Sequence, residues 1–455
     1  MSTATIPTYA EPIQPTFSRT PSYSAEPGLY EQRLALNARS LPRATGNFIT
    51  SSKSGSAKLR LTAQQNNIDL PIYGSGGVVE GTVELTKTDN ISSVEVTVEG
   101  RLELKEIAGG GHTETKLCVD TALLWVKDDS NSICPTSLPF SLTLPTTFEY
   151  NSKRYALPPS HSIKLSGLPG FYATIDYTVG AVINKPHAVP TLVPLVKSRV
   201  LGINIGSTTV STPFIYYPRT RPSVALPTPL RRFEGGFIES PEWKVYPSVL
   251  KAKEKSGTQD IFVKVYVPAS RIYCSTQAIP FHVTFESTAF TLAAFLPYGP
   301  STGNPGKPQA TRFQLMRQST VDVRFVGANR KTDIWRVDCI GEGTFRHAVR
   351  LLSGWTGDGA TWTSFSGEIP IDPVKVTGFR IAGLSVSDCL LFSVTPPDVT
   401  KSTFTGIRAM IPVQLTTDPW IEDGRGIAQR QSFPVPPSPE EMGPEPDSES
   451  FAQAI

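Results

Sequence analysis

The chain has 455 residues, 43 basic and 40 acidic side chains for a formal charge of +3, 18% charged and 39% hydrophobic residues, and 41 prolines. These values exclude a collagen, a coiled coil, a strongly basic nucleic-acid binder and a wholly disordered chain. At about 100–200 residues per domain the length accommodates two to three domains, each large enough to bury a substantial core.

Pro, Ser or Thr occupies 21 of the first 55 positions, and no apolar period is sustained there. Such a segment has too little apolar surface to offset its ordering entropy, which predicts a flexible arm over residues 1–55. The arm contains an imperfect repeat, Pro7-Thr8-Tyr9-Ala10-Glu11-Pro12 and Pro21-Ser22-Tyr23-Ser24-Ala25-Glu26-Pro27.

Beyond the arm the dominant period is two. Ala57-Lys58-Leu59-Arg60-Leu61, Ser93-Val94-Glu95-Val96-Thr97-Val98-Glu99 and Ile261-Phe262-Val263-Lys264-Val265-Tyr266-Val267 alternate strictly. Alternation of this kind places one face of a strand in a core and the other in water, the pattern of antiparallel sheets. Turn clusters such as Gly109-Gly110-Gly111-His112 and Asp128-Asp129-Ser130-Asn131-Ser132 separate the runs. No segment longer than about 12 residues has helical periodicity, and prolines interrupt most candidates.

Four prolines and four arginines without an acid lie between Pro218 and Arg232, where the alternation lapses. This predicts a linker over 219–240 joining two all-β sandwiches, residues 56–218 and 241–424. The last stretch, Phe433 to Ile455, holds five acids and six prolines without Lys or Arg. An acidic, Pro-rich tail is therefore expected over 425–455.

The five cysteines and five histidines are scattered. Neither a disulfide framework nor a metal site is expected, and no cofactor. The first residues lack a basic-then-apolar leader pattern, and no run approaches the roughly 18 apolar residues of a membrane span, so a cytoplasmic protein is expected. Gly341-Glu342-Gly343-Thr344 lacks the third glycine and the strand-to-helix context of a phosphate loop. No nucleophile elbow or His-Glu-x-x-His is present, so a β-sandwich enzyme would be of an unrecognised kind.

The order of several motifs is more specific than any one of them. Leu70-Pro71-Ile72-Tyr73-Gly74 leads to Val78-Val79-Glu80-Gly81-Thr82-Val83-Glu84-Leu85, then Leu138-Pro139-Phe140-Ser141-Leu142-Thr143-Leu144-Pro145, Leu157-Pro158-Pro159-Ser160 and Tyr177-Thr178-Val179. This series resembles the N-terminal lobe of arrestins, especially the fungal α-arrestin branch. Ile279-Pro280-Phe281-His282-Val283, Leu384 to Val394 and Ile411-Pro412-Val413 resemble strands of the C-terminal lobe. The resemblance covers about residues 56–420. It implies two tandem immunoglobulin-like antiparallel β-sandwich lobes with disordered N- and C-terminal tails.

It further implies a non-catalytic trafficking adaptor, cytoplasmic and peripherally associated with the plasma membrane or endosomes. Such an adaptor binds cytoplasmic tails of membrane transporters or receptors and helps regulate their endocytosis or ubiquitination. The alternative is a structural endosomal coat subunit resembling the arrestin-shaped component of retromer. Nucleic acid is not an expected partner.

Within the resemblance Lys58 and Arg60, on one face of the first strand of the sandwich, are candidate contacts for an anionic or phosphorylated tail. A second basic group, Arg312, Arg317, Arg324, Arg330, Lys331 and Arg336, would suit an anionic membrane surface or be scattered over strand faces. Recruitment of a HECT-type ubiquitin ligase in α-arrestins uses Pro-Pro-x-Tyr, which is absent here. Pro7 with Tyr9 and Pro21 with Tyr23 are the candidates for weak WW-type docking, each lacking the first proline. Thr20 and Ser438 precede prolines and are candidate phosphosites.

Overall fold

Strands with one apolar face are stable when two sheets close those faces on each other. In the computed structural model this chain does so twice. The structure describes residues 26–34, 45–185 and 207–422, except 67, 108–110, 131, 166–169, 234–235, 255, 302–308, 325–330, 349–359, 382 and 399.

The first half runs β1 (Glu31–Leu34), β2 (Gly46–Ser51), β3 (Ala57–Gln64), β4 (Ile72–Tyr73), β5 (Val78–Leu85), β6 (Ser93–Glu106) and β7 (His112–Val126). It continues with β8 (Ser137–Thr143), β9 (Thr147–Tyr150), β10 (Lys153–Ala156), β11 (His161–Leu165), β12 (Phe171–Asn184), β13 (Ser207–Tyr216) and β14 (Arg219–Pro222). One sheet has the order β2-β3-β5-β8; the facing sheet has β4-β13-β12-β6-β7, with β11 also on β12.

The second half runs β15 (Arg232–Phe233), β16 (Gly236–Phe237), β17 (Trp243–Leu250), β18 (Ile261–Pro268), β19 (Ile272–Cys274) and β20 (Ile279–Thr288). A short helix, α1 (Ala289–Phe295), precedes β21 (Thr311–Arg324), β22 (Lys331–Glu342), β23 (Thr344–His347), β24 (Ala360–Ile369), β25 (Phe379–Ile381), β26 (Leu384–Val394) and β27 (Ile407–Thr416). Its sheets are β17-β18-β20-β24-β23 and β19-β27-β26-β21-β22, with β25 on β26.

The two lobes repeat one topology. β2, β3, β5 and β8 correspond to β17, β18, β20 and β24, and the second sheets match strand for strand. Both include one short parallel pairing, Ile72-Tyr73 on β13 and Ile272-Tyr273-Cys274 on β27. The expectation of tandem β-sandwich lobes is met, and the longest described helix has seven residues.

Two expected boundaries move. The arm drawn over 1–55 contributes β1 and β2, the latter paired on β3, so the first sandwich begins at residue 46. The linker drawn over 219–240 begins as strand β14, which pairs antiparallel with β1. Its Pro/Arg composition concealed this because Thr220, Arg221 and Pro222 are buried by packing that only the assembled lobes supply.

The family-like motifs have structural duties. Pro145 follows β8, but Pro139 lies inside it, tolerated because β8 is a sheet edge where a missing N–H breaks no ladder. A Cβ on Gly81 would meet the Arg60 carbonyl at 2.2 Å and the Phe140 ring at 2.9 Å, the close backbone approach that an isolated strand glycine signals. The Leu-Pro-Pro-Ser turn is pinned from two sides: the Tyr177 hydroxyl donates to the Pro158 carbonyl at 2.6 Å, and the Tyr216 N–H donates to Ser160 Oγ at 2.9 Å.

Candidate functional site

The candidate site is the junction of the lobes, and β21 and β26 build it. Their inward-facing cross-strand pairs run Phe313–Phe392, Leu315–Leu390, Arg317–Asp388, Ser319–Val386 and Val321–Leu384. The first two pairs belong to the core of the C-terminal lobe. Val321, Leu384 and Val386, with Val376, Phe379 and Ile381, belong instead to the core of the N-terminal lobe. One two-stranded ribbon therefore serves both cores, and an ion pair sits where one core gives way to the other.

That pair is bidentate and buried. Arg317 Nε and Nη2 donate to the Asp388 carboxylate at 2.7 and 2.9 Å, and Nη1 donates to the Val376 carbonyl at 2.8 Å. The side chains are 11% and 0% exposed. Planar fork geometry and three bonds are what a guanidinium needs to be retained in a low-dielectric site. A buried pair of this kind adds little net stability over an apolar substitute, but it specifies register and arrangement.

His161 of β11 faces the same junction from the N-terminal lobe, its ring edge-on to Phe379 with centroids 5.5 Å apart. Its Nε2 is buried without a hydrogen-bond partner among the described residues. Burial, then the charges of Arg317 and Lys375, depress its pKa to about 4, so the imidazole is neutral at pH 7.

A second seam ties arm, linker and C-terminal lobe. Arg221, almost fully buried on β14, donates to Gln32 Oε1 of β1 at 2.8 Å. Thr220 exchanges bonds with Thr417 Oγ1 and accepts from the Asp418 N–H at 2.9 Å. Arg219 forks onto the Asp418 carboxylate, and that hydrogen bond raises the Arg219 pKa. Strand β1 is thereby stitched to the linker, and the linker to the end of β27.

Lys58 and Arg60 project from one face of β3, as alternation requires, at the outside of the N-terminal lobe. Arg60 Nε donates to Glu84 Oε1 of β5 at 2.7 Å, a bond that holds the Glu84 carboxyl below its ordinary range. Lys58 lies cross-strand from Glu84 and is exposed. The face is thus a solvated one with mixed charge.

In the second basic group Arg312 pairs with Glu342, Arg336 with Asp338 and Arg317 with Asp388. The side chains of Arg324, Arg330 and Lys331 lie outside the described residues, as do Pro7, Tyr9, Thr20, Pro21, Tyr23 and Ser438. Among the described residues no group of three or more His, Cys, Asp or Glu could hold a metal, and no helix is long and apolar enough to cross a membrane.

Sequence reasoning overlooked Asp388, His161, Asp418 and Gln32. Asp388 carried a signal, since a lone acid inside the apolar run Leu384 to Val394 requires a buried partner. The other three sit in polar segments where nothing local marks them. Comparison with protein-family models and with curated proteins finds no match.

Proposed function

We propose that the chain is a non-catalytic, arrestin-like trafficking adaptor that binds cytoplasmic tails of membrane proteins and helps regulate their endocytosis or ubiquitination. The observation that supports this most is the pair of topologically repeated sandwiches joined by a ribbon that serves both cores and by a stitched linker. Such a body offers sheet faces and edge strands, among them β7 and β8, for receiving an extended peptide. The order of the Leu-Pro-Phe, Leu-Pro-Pro-Ser and Tyr-x-Val motifs supports the arrestin affiliation.

On this reading Lys58 is the freer of the two candidate basic contacts, because Arg60 must leave Glu84 before it can serve a phosphate. The arm and the acidic tail supply the docking and phosphorylation segments, and ligase recruitment runs through Tyr9 and Tyr23. Proximity labelling in the native cell, with the full chain and with residues 1–25 deleted, tests the reading. Enrichment of membrane transporters or receptors is the expected result, and loss of a ligase upon the deletion would assign the arm. Enrichment of no membrane protein or trafficking factor would refute the adaptor. Recovery of one partner at fixed stoichiometry would indicate a coat subunit instead.

A further inference from the structure

The outward face of β18 and β20 should be wet, yet part of it is buried. Phe262 and Lys264 are exposed or half-exposed as alternation predicts, but Tyr266 is 2% exposed and, across the ladder, His282 is 4% exposed. The cause is the linker. Residues 228–233 and 236–238, including the two-residue strands β15 and β16, lie over this face and insert Leu230 and Phe237 beside Trp243 and Tyr266. This cluster is separate from the core of the lobe.

The contacts are those of a bound peptide. The Leu230 N–H donates to His282 Nε2 at 3.2 Å, and Trp243 Nε1 donates to the Thr228 carbonyl at 3.0 Å. Phe237 and Trp243 flank the imidazole with ring centroids 4.5 and 4.7 Å away. Since Nε2 accepts, the ring proton is on Nδ1 and is given to Ser366 Oγ at 2.8 Å. Burial lowers the His282 pKa to about 4, keeping that acceptor neutral at pH 7.

Two further observations bear on release of the cover. On the matching face of the N-terminal lobe, Lys58, Arg60, Glu80 and Glu84 are exposed or half-exposed, so the repeated topology does not need a cover. The cover also carries a cost: Arg232 Nε is buried with no hydrogen-bond partner among the described residues, a defect that release into water repairs.

We propose that Trp243, Tyr266 and His282 form a docking cradle for an extended peptide and that linker residues 228–233 and 236–238 are its intramolecular occupant. A competing segment must present an amide N–H to His282, a carbonyl to Trp243 and apolar side chains in place of Leu230 and Phe237. That the competitor belongs to a partner protein rests on the adaptor reading; release of the cover does not.

Gly236 is the means of testing it. Its φ of +126° is open to glycine, and its added Cβ would also stand 3.3 Å from Thr284 Oγ1, so Gly236→Ala strains the cover without removing a cradle residue. Strain of that kind opens the cover by roughly 5- to 150-fold. Hydrogen exchange of the full-length parent and variant should show that gain confined to residues 228–238, with β18 and β20 amides unchanged. A synthetic peptide of residues 226–240 should then bind Gly236→Ala far more tightly than the parent, and His282→Ala in that background should abolish the binding. Unchanged exchange at 228–238, or exchange rising equally in β18 and β20, would overturn the releasable cover. An opened cover that still binds no peptide would overturn the cradle. Neither failure bears on capture of membrane-protein tails, which tests the adaptor reading separately.

Discussion

Replacing Asp388 by Asn keeps the shape of the side chain and removes the charge that faces Arg317. The guanidinium keeps its bond to the Val376 carbonyl but stays in a site where its side chain is 11% exposed. Breaking one side of such a pair costs about 3–5 kcal/mol, because a desolvated charge loses the carboxylate to which it is bonded bidentately. For lobes of this size 1 kcal/mol shifts the melting temperature by about 2–4 °C, so a fall of roughly 6–20 °C is expected. Arg317→Met combined with Asp388→Leu removes both charges and supplies apolar volume between the cores. That double variant should melt close to the parent, or above it. Thermal and urea unfolding followed by circular dichroism at pH 7 measures both. A single variant within about 1 kcal/mol of the parent, or a double variant as unstable as the single, would refute a buried, mutually dependent pair.

Gly81→Ala forces a methyl into the Arg60 carbonyl and the Phe140 ring, so a loss of about 1–3 kcal/mol in urea unfolding is expected, with Leu59 and Leu142 amides losing exchange protection first. Tyr177→Phe strands the buried Pro158 carbonyl and should cost about 1–2 kcal/mol by the same measurement. The neutral form of His161 is favoured by folding, so its contribution is complete above the unfolded value near 6.5 and is lost as pH falls toward about 4. At pH 5 the loss is up to about 2 kcal/mol, and His161→Phe should reduce by that amount the difference between urea stabilities at pH 7 and pH 5. An unchanged difference would show that His161 does not titrate with unfolding.

The period-two runs at Ala57, Ser93 and Ile261 identified β3, β6 and β18, and the scarcity of helical periodicity matched a chain whose longest described helix has seven residues. Reading failed where burial came from a distant segment. Thr220 and Arg221 look like linker until β1 and the end of β27 close over them. Tyr266 departs from its own strand's alternation because Leu230 and Phe237 of the linker cover it. The basic set at Arg312, Arg317 and Arg336 has a uniform appearance in sequence, yet two members make exposed pairs and one is buried between the cores.

Alternation along each strand is a local property, so the amino-acid order by itself determined that this protein is made of amphipathic strands that must close in pairs of sheets. Whether an individual charge ends in water, in a seam or beneath a cover depends on elements as much as 199 residues away, as with Arg219 and Asp418. Dielectric environment belongs to the assembled surface rather than to the residue, and for that reason the polar junction and the occupied cradle were decided only when the two lobes and their linker came together.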